Sequence, residues 1–171
     1  MATVIRSSLR GILSAIKAQI ISGVPLPAAR VLVSVRKQVP HFQADQDVVI
    51  RPRGFKIEKI ITDQVGRWET TLRRRIDFTC RTRLGVDESD RDESWLQHAS
   101  FGHILLEEKV VDAMQEFFPA DASGNHLVRE PMLLTDGLDP DKEQDDELVE
   151  WGQSTVSFDV VYDLAFTELP T

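Results

Sequence analysis

Two runs of this chain, residues 72–84 and 155–166, alternate between apolar and polar side chains. That period of two admits an extended strand and excludes a helix. In the first run Ile76, Phe78, Cys80, Thr82 and Leu84 fall on one side, and Arg73, Arg75, Asp77, Thr79, Arg81 and Arg83 on the other. In the second, Val156, Phe158, Val160, Tyr162, Leu164 and Phe166 oppose Ser157, Asp159, Val161 and Asp163. One side of each strand is therefore built for a core, and the fold must supply something apolar to cover it. Arg74 interrupts the apolar side, which predicts that the N-terminal end of the first strand lies outside the core.

Two helices are available as that cover. Leu9, Ile12, Leu13, Ile16 and Ile20 recur at helical spacing within residues 7–22, with Ser7 or Ser8 as a cap and Gly23 just past the end. Leu106, Val110, Met114 and Phe117 repeat at three- and four-residue steps until Pro119 ends the pattern. Pro25 and Pro27 force an extended connector after the first helix, and Val31, Val33 and Val35 alternate as a short strand. Residues 54–68 carry no clear period and are compatible with an extended arm or a short helix, while "HLVREPMLL", residues 126–134, suits a short strand or hairpin arm. The order predicts an α+β domain, a mainly antiparallel sheet with two principal helices packed on one face. At 171 residues the chain suits a single domain spanning 1–171, with a polar, acidic loop or hairpin insertion at about 119–153.

Charge is unevenly distributed along this chain. Residues 1–85 carry 16 Lys and Arg against 6 Asp and Glu, and residues 86–171 carry 4 against 22, so balances of +10 and −18 make up the overall −8. If the two alternating strands are neighbours, Asp159 and Asp163 stand beside the arginines of the first, each opposite-charge pair contributing roughly 0.2–1 kcal/mol. Two aspartates do not match Arg73, Arg75, Arg81 and Arg83, so positive charge is left for a partner. The alternative is that the two halves interleave in one sheet and neutralise each other.

Catalytic signatures are missing from the sequence. No GxGxxG, GxxxxGK[ST], HExxH or GxSxG occurs, which removes the common nucleotide-binding, zinc-protease and serine-hydrolase patterns. His98 and His103 would lie on different helical faces, His41 and His126 sit in polar loops, and each reads as a satisfied or solvated histidine. Cys80, the only cysteine, falls on the apolar side of its strand and reads as a small core residue. Asp139, Asp141, Glu143, Asp145, Glu147 and Glu150 have the spacing of a calcium loop, but Gln144 stands where that loop needs glycine. No catalytic residue, cofactor or metal ligand is therefore expected. Arg73, Arg74 and Arg75 with Trp68 would make a small nucleic-acid patch, which a net charge of −8 opposes at long range. No apolar run reaches the length of a membrane span, and charges interrupt the apolar pattern of the N-terminus where a secretory signal needs an unbroken core.

The N-terminal amphipathic helix, the strand "RRRIDFTCRTRL", an acidic turn, the helix "HILLEEKVVDAM" and the closing strand "STVSFDVVYDLAF" together resemble the tail terminator, or tail-completion, proteins of long-tailed bacteriophages. The likeness is one of element order and covers residues 1 to about 168, loosest at 54–68 and 119–153. It implies a structural virion protein, made in the host cytoplasm, that forms a ring, usually of six, on the end of the tail tube. There it stops tube growth and offers a docking surface to a head connector or stopper protein, with DNA passing through the channel without specific binding. In such a ring one patch of a subunit meets a different patch of the next. Arg73, Arg74, Arg75, Arg81 and Arg83 would then face a neighbour's acidic surface, drawn from Asp87, Asp90 and Asp92 or from residues 139–150. The alternatives are another head–tail neck or completion protein, a small acidic metal-dependent enzyme, and a nucleic-acid accessory protein.

Overall fold

The structure is a computed structural model, which describes residues 8–34, 45–62, 68–83, 102–137 and 151–165. Helix α1 runs Leu9–Gly23 and begins at Ser8, whose Oγ accepts the Gly11 N–H at 3.1 Å. That bond satisfies one of the donors a helix start leaves open. Its Ile12, Leu13, Ile16 and Ile20 are buried, as the spacing requires. A 3-10 turn, Ala28–Arg30, leads into β1, Val31–Val33. Strands β2, Gln46–Thr62, and β3, Trp68–Arg83, make a long antiparallel hairpin. Helix α2, His103–Met114, is followed by β4, Leu133–Gly137, and by β5, Trp151–Ala165.

The sheet order is β1-β2-β3-β5-β4, antiparallel throughout except for the parallel β1–β2 pair. The expected α+β architecture is thus present. The two alternating runs are neighbours, β3 and β5 pairing from Glu69↔Ala165 to Arg83↔Trp151. Both helices pack on one face, where Ile76, Phe78, Cys80, Phe158, Val160 and Tyr162 meet α1 and the Leu106, Val110 and Met114 stripe of α2. Phe78 and Phe158 meet edge to face at 5.6 Å, a geometry worth about 0.5–1.5 kcal/mol beyond burial. The helices approach closely at Gly23, where an added Cβ would stand 2.7 Å from that of Ala113.

Two expectations are revised and one open reading is resolved. The 54–68 stretch is extended where it is described, because cross-strand pairing with β3 supplies the order that periodicity lacks. Helix α2 ends at Met114 rather than running to Pro119; Glu116 takes a left-handed φ of 59°, and Phe117 packs on the core from outside the helix. The start of β3 does not leave the core, since Thr70, Thr71 and Leu72 are all buried. Arg74 is accommodated there by its reach: its aliphatic stem stays on the apolar face while Nε donates to the Tyr162 hydroxyl at 3.2 Å and Nη1 to the Arg53 carbonyl at 2.6 Å. Of the 119–153 insertion, residues 119–137 and the start of β5 are described and include β4.

Candidate interaction surface on the charged face of the sheet

Register fixes what the charged face contains. Cross-strand partners share a face, and the rows Asp47↔Arg81↔Gln153, Val49↔Thr79↔Thr155, Arg51↔Asp77↔Ser157 and Arg75↔Asp159 lie on the side away from the helices. Much of this polar face is nevertheless buried: Asp47, Val49, Asp77, Thr79, Arg81 and Ser157 are all shielded from solvent. A buried charge in such a place needs a partner with good geometry.

Arg81, Arg53, Arg75 and Arg73 find one. Arg81, 1% exposed, donates Nε to Asp47 Oδ1 at 2.6 Å and Nη2 to Oδ2, a bidentate pair. Asp77 takes Arg53 on Oδ2, and on Oδ1 it takes Arg75 Nε at 3.2 Å and the Ser157 hydroxyl at 2.8 Å. Arg73 is shared among Glu58, Glu130 at 3.1 Å and Asp159 at 3.3 Å. The hydrogen bond that Arg73 donates to Glu58 leads the effects that raise its pKa above the ordinary arginine value. Arg74 also stacks over Phe55, its guanidinium carbon 5.2 Å from the ring centroid. Arg83 is exposed at the end of β3.

These positions correct part of the sequence reading. Arg81 is held within its own subunit and does not present its guanidinium to a neighbour. Asp163 accepts from Arg129 at 2.6 Å and from the Thr71 hydroxyl at 2.8 Å rather than from the arginines of β3. Asp87, Asp90, Asp92 and the 139–150 run lie outside the described residues. Of the ion pairs described here, those of Arg73 with Glu130 and Asp159 join the basic front half to the acidic rear half. The rest join front to front or rear to rear. In these pairs charge is answered mainly within each half of the chain.

A second polar cluster lies on the helix side. His103, at the start of α2, is buried between Thr82 Oγ1, 2.9 Å from Nδ1, and Ser154 Oγ, 2.8 Å from Nε2. Gln46 donates to Thr82 Oγ1 at 3.2 Å and Ser154 donates to Glu107 Oε2 at 2.9 Å. The directions are consistent if Thr82 donates to Nδ1 and Nε2–H donates to Ser154, which assigns the neutral imidazole with its proton on Nε2. Burial pulls the His103 pKa down to about 4 and pushes that of Glu107 up. Cys80, buried in the core, has its thiol pKa raised by desolvation and is a poor nucleophile. The cluster ties α2 to β3 and β5 and satisfies the polar groups at the sheet's end. Among the described residues no group of His, Cys, Asp and Glu is placed to hold a metal ion, and no helix is long and apolar enough to cross a membrane.

Sequence reasoning missed Asp47 and Asp77 as the acceptors, and Arg51 and Arg53 as further cations. It also missed Phe55, Ile57 and Ile60, which stand 56%, 51% and 53% exposed along β2. The parity of "DVVIRP", with Asp47, Val49 and Arg51 on one side, was the available signal for the first of these.

The fold and this surface define an α+β module whose distinguishing feature is a segregated charged face beside an exposed apolar strand. No protein-family model matches the chain, and no curated protein matches it. Among solved structures, its fold is similar to that of the PVC sheath/tube terminator, in the extended state, of an extracellular contractile injection system. The TM-score is 0.53 at 11% identity, over 96% of this chain and 58% of that one. The chain thus spans less than two thirds of the length of that terminator.

Proposed function

We propose that this chain is a terminator subunit of a long tube-like tail: a structural protein, without enzymatic activity, that caps the tube. In the full form of the reading it is a bacteriophage virion protein of the neck. Copies assemble as a ring, a hexamer, that halts tube growth and joins the tube to a head connector or stopper. The observation that carries the reading is the likeness in fold across 96% of the chain to a protein whose description is that of a sheath/tube terminator. Charge supports it from a different direction. A subunit that keeps basic and acidic surfaces apart is suited to head-to-tail contacts, in which unlike patches meet and close into a ring.

The test is made on tails. Particles produced without this chain should carry tubes of unregulated length and fail to join heads, and mass spectrometry of intact particles should find the chain at one ring's worth per tail. Tubes of normal, uniform length in its absence would refute the reading. Light scattering on the purified chain, alone and with tail tubes, reports whether and where the ring forms.

A further inference from the structure

We infer that the outer edge of β2, from Arg51 to Ile60, is the surface by which one copy of this chain grips the acidic surface of another; the inference rests on the ring reading above and locates its contact. Among the described residues β1 covers β2 only from Val48 to Ile50, and beyond that point β2 has β3 on one side alone. Residues 53–60 are exposed without a break. An uncovered sheet edge offers unpaired backbone donors and acceptors to another chain. Register shifts between Pro52 and Phe55 and between Ile57 and Lys59 break the regular ladder, so side chains must carry much of the contact.

Those side chains are of two kinds, on opposite faces of the same edge. Phe55, Ile57 and Ile60 pair with Arg74, Leu72 and Thr70 and so stand on the helix side, each more than half exposed. Arg51 and Arg53 stand on the charged side. Both Asp77 oxygens are taken by Arg53, Arg75 and Ser157, so Arg51, although directly opposite Asp77, is left out. Its Nε and Nη2 are shielded and have no acceptor. Buried donors without acceptors carry a desolvation penalty, which a carboxylate from a docked partner removes once the guanidinium turns toward the edge.

Charge selects the partner. Residues 51–60 contain Arg51, Arg53, Lys56 and Lys59 against Glu58, a balance of +3, while residues 86–171 of every copy carry −18. A second copy therefore brings the complementary surface, and the contact is heterologous, as ring closure requires. A nucleic-acid phosphate would answer the cations but leave three large apolar side chains wet.

The experiment mixes 14N- and 15N-labelled wild-type chain, alone and with tail tubes. Zero-length carbodiimide cross-links are mapped, and self-association is followed by light scattering. Intermolecular links from Lys56 or Lys59 to carboxylates of residues 86–171 are expected. Ile57→Ser should weaken association by roughly tenfold or more with the thermal midpoint unchanged, and Arg53→Gln should weaken it similarly while lowering the midpoint, since Asp77 loses a partner. Arg51→Gln should weaken association while leaving the monomer as stable as before or more so, an outcome that a purely structural arginine would not give. Association that survives all three variants, with links mapping elsewhere, overturns the inference and leaves the ring reading standing. A wild-type chain that yields only intramolecular links, even on tubes, removes both. Duplex DNA binding that the arginine variants abolish while self-association is untouched reassigns the edge to nucleic acid and overturns the inference.

Discussion

Replacing Asp47 by alanine removes the carboxylate that clasps the buried guanidinium of Arg81. Arg81 is 1% exposed and Asp47 3%, and the pair makes two parallel hydrogen bonds. Truncating the acid takes the bidentate acceptor from a buried cation, and breaking one side of a buried pair costs about 3–5 kcal/mol. Domains of this size are stable by roughly 5–15 kcal/mol, so about a fifth or more of the total is at stake. At about 2–4 °C per kcal/mol the thermal midpoint should fall by on the order of 10 °C. The informative assay is a double-mutant cycle by urea denaturation. Asp47→Leu and Arg81→Met alone should each destabilise strongly, whereas the two together should lie within about 1–2 kcal/mol of wild type, because the apolar replacement leaves no broken pair. A cost below about 1 kcal/mol for Asp47→Ala, or strictly additive single effects, would refute the reasoning. The same result separates Arg81 from the exposed cations: Arg81→Glu should unfold the subunit rather than disassemble a ring.

The His103 pKa of about 4 lies below the ordinary 6.5, so the unfolded chain takes up the proton first as pH falls. Stability from this group is therefore full above about pH 6.5 and is lost toward pH 4, by on the order of 3 kcal/mol at most. Glu107, raised by burial, opposes that slope, and urea midpoints at several pH values for wild type and His103→Gln should show the histidine contribution vanish in the variant. Gly23→Ala should destabilise by roughly 1–3 kcal/mol, because the new Cβ meets Ala113 at 2.7 Å, despite the gain of about 1 kcal/mol expected from helix propensity. A rise in thermal midpoint would show that the two helices can separate freely. Glu116→Gly should stabilise by up to about 1 kcal/mol, since φ of 59° strains any residue with a Cβ.

Much of the fold was legible before any coordinates. The three-and-four spacing of Ile12, Ile16 and Ile20 and of Leu106, Val110 and Met114 marked both helix stripes, and alternation in β3 and β5 separated core face from charged face, because these periods are local consequences of backbone geometry. The same logic carried the segregation of charge, which is a property of the chain before it folds. Pairing was not legible. Arg81 meets Asp47, 34 residues away, and Arg53 meets Asp77, 24 away, because strand register, a non-local outcome, decides which carboxylate stands opposite which guanidinium. Nor could the sequence say that β2 continues through its aperiodic stretch, since the order there is imposed by β3, or that Arg81 is buried while Arg53 is half exposed on the same face. Periodicity states which side of an element a residue occupies. Only tertiary packing decides how deep that side lies and what charge waits there.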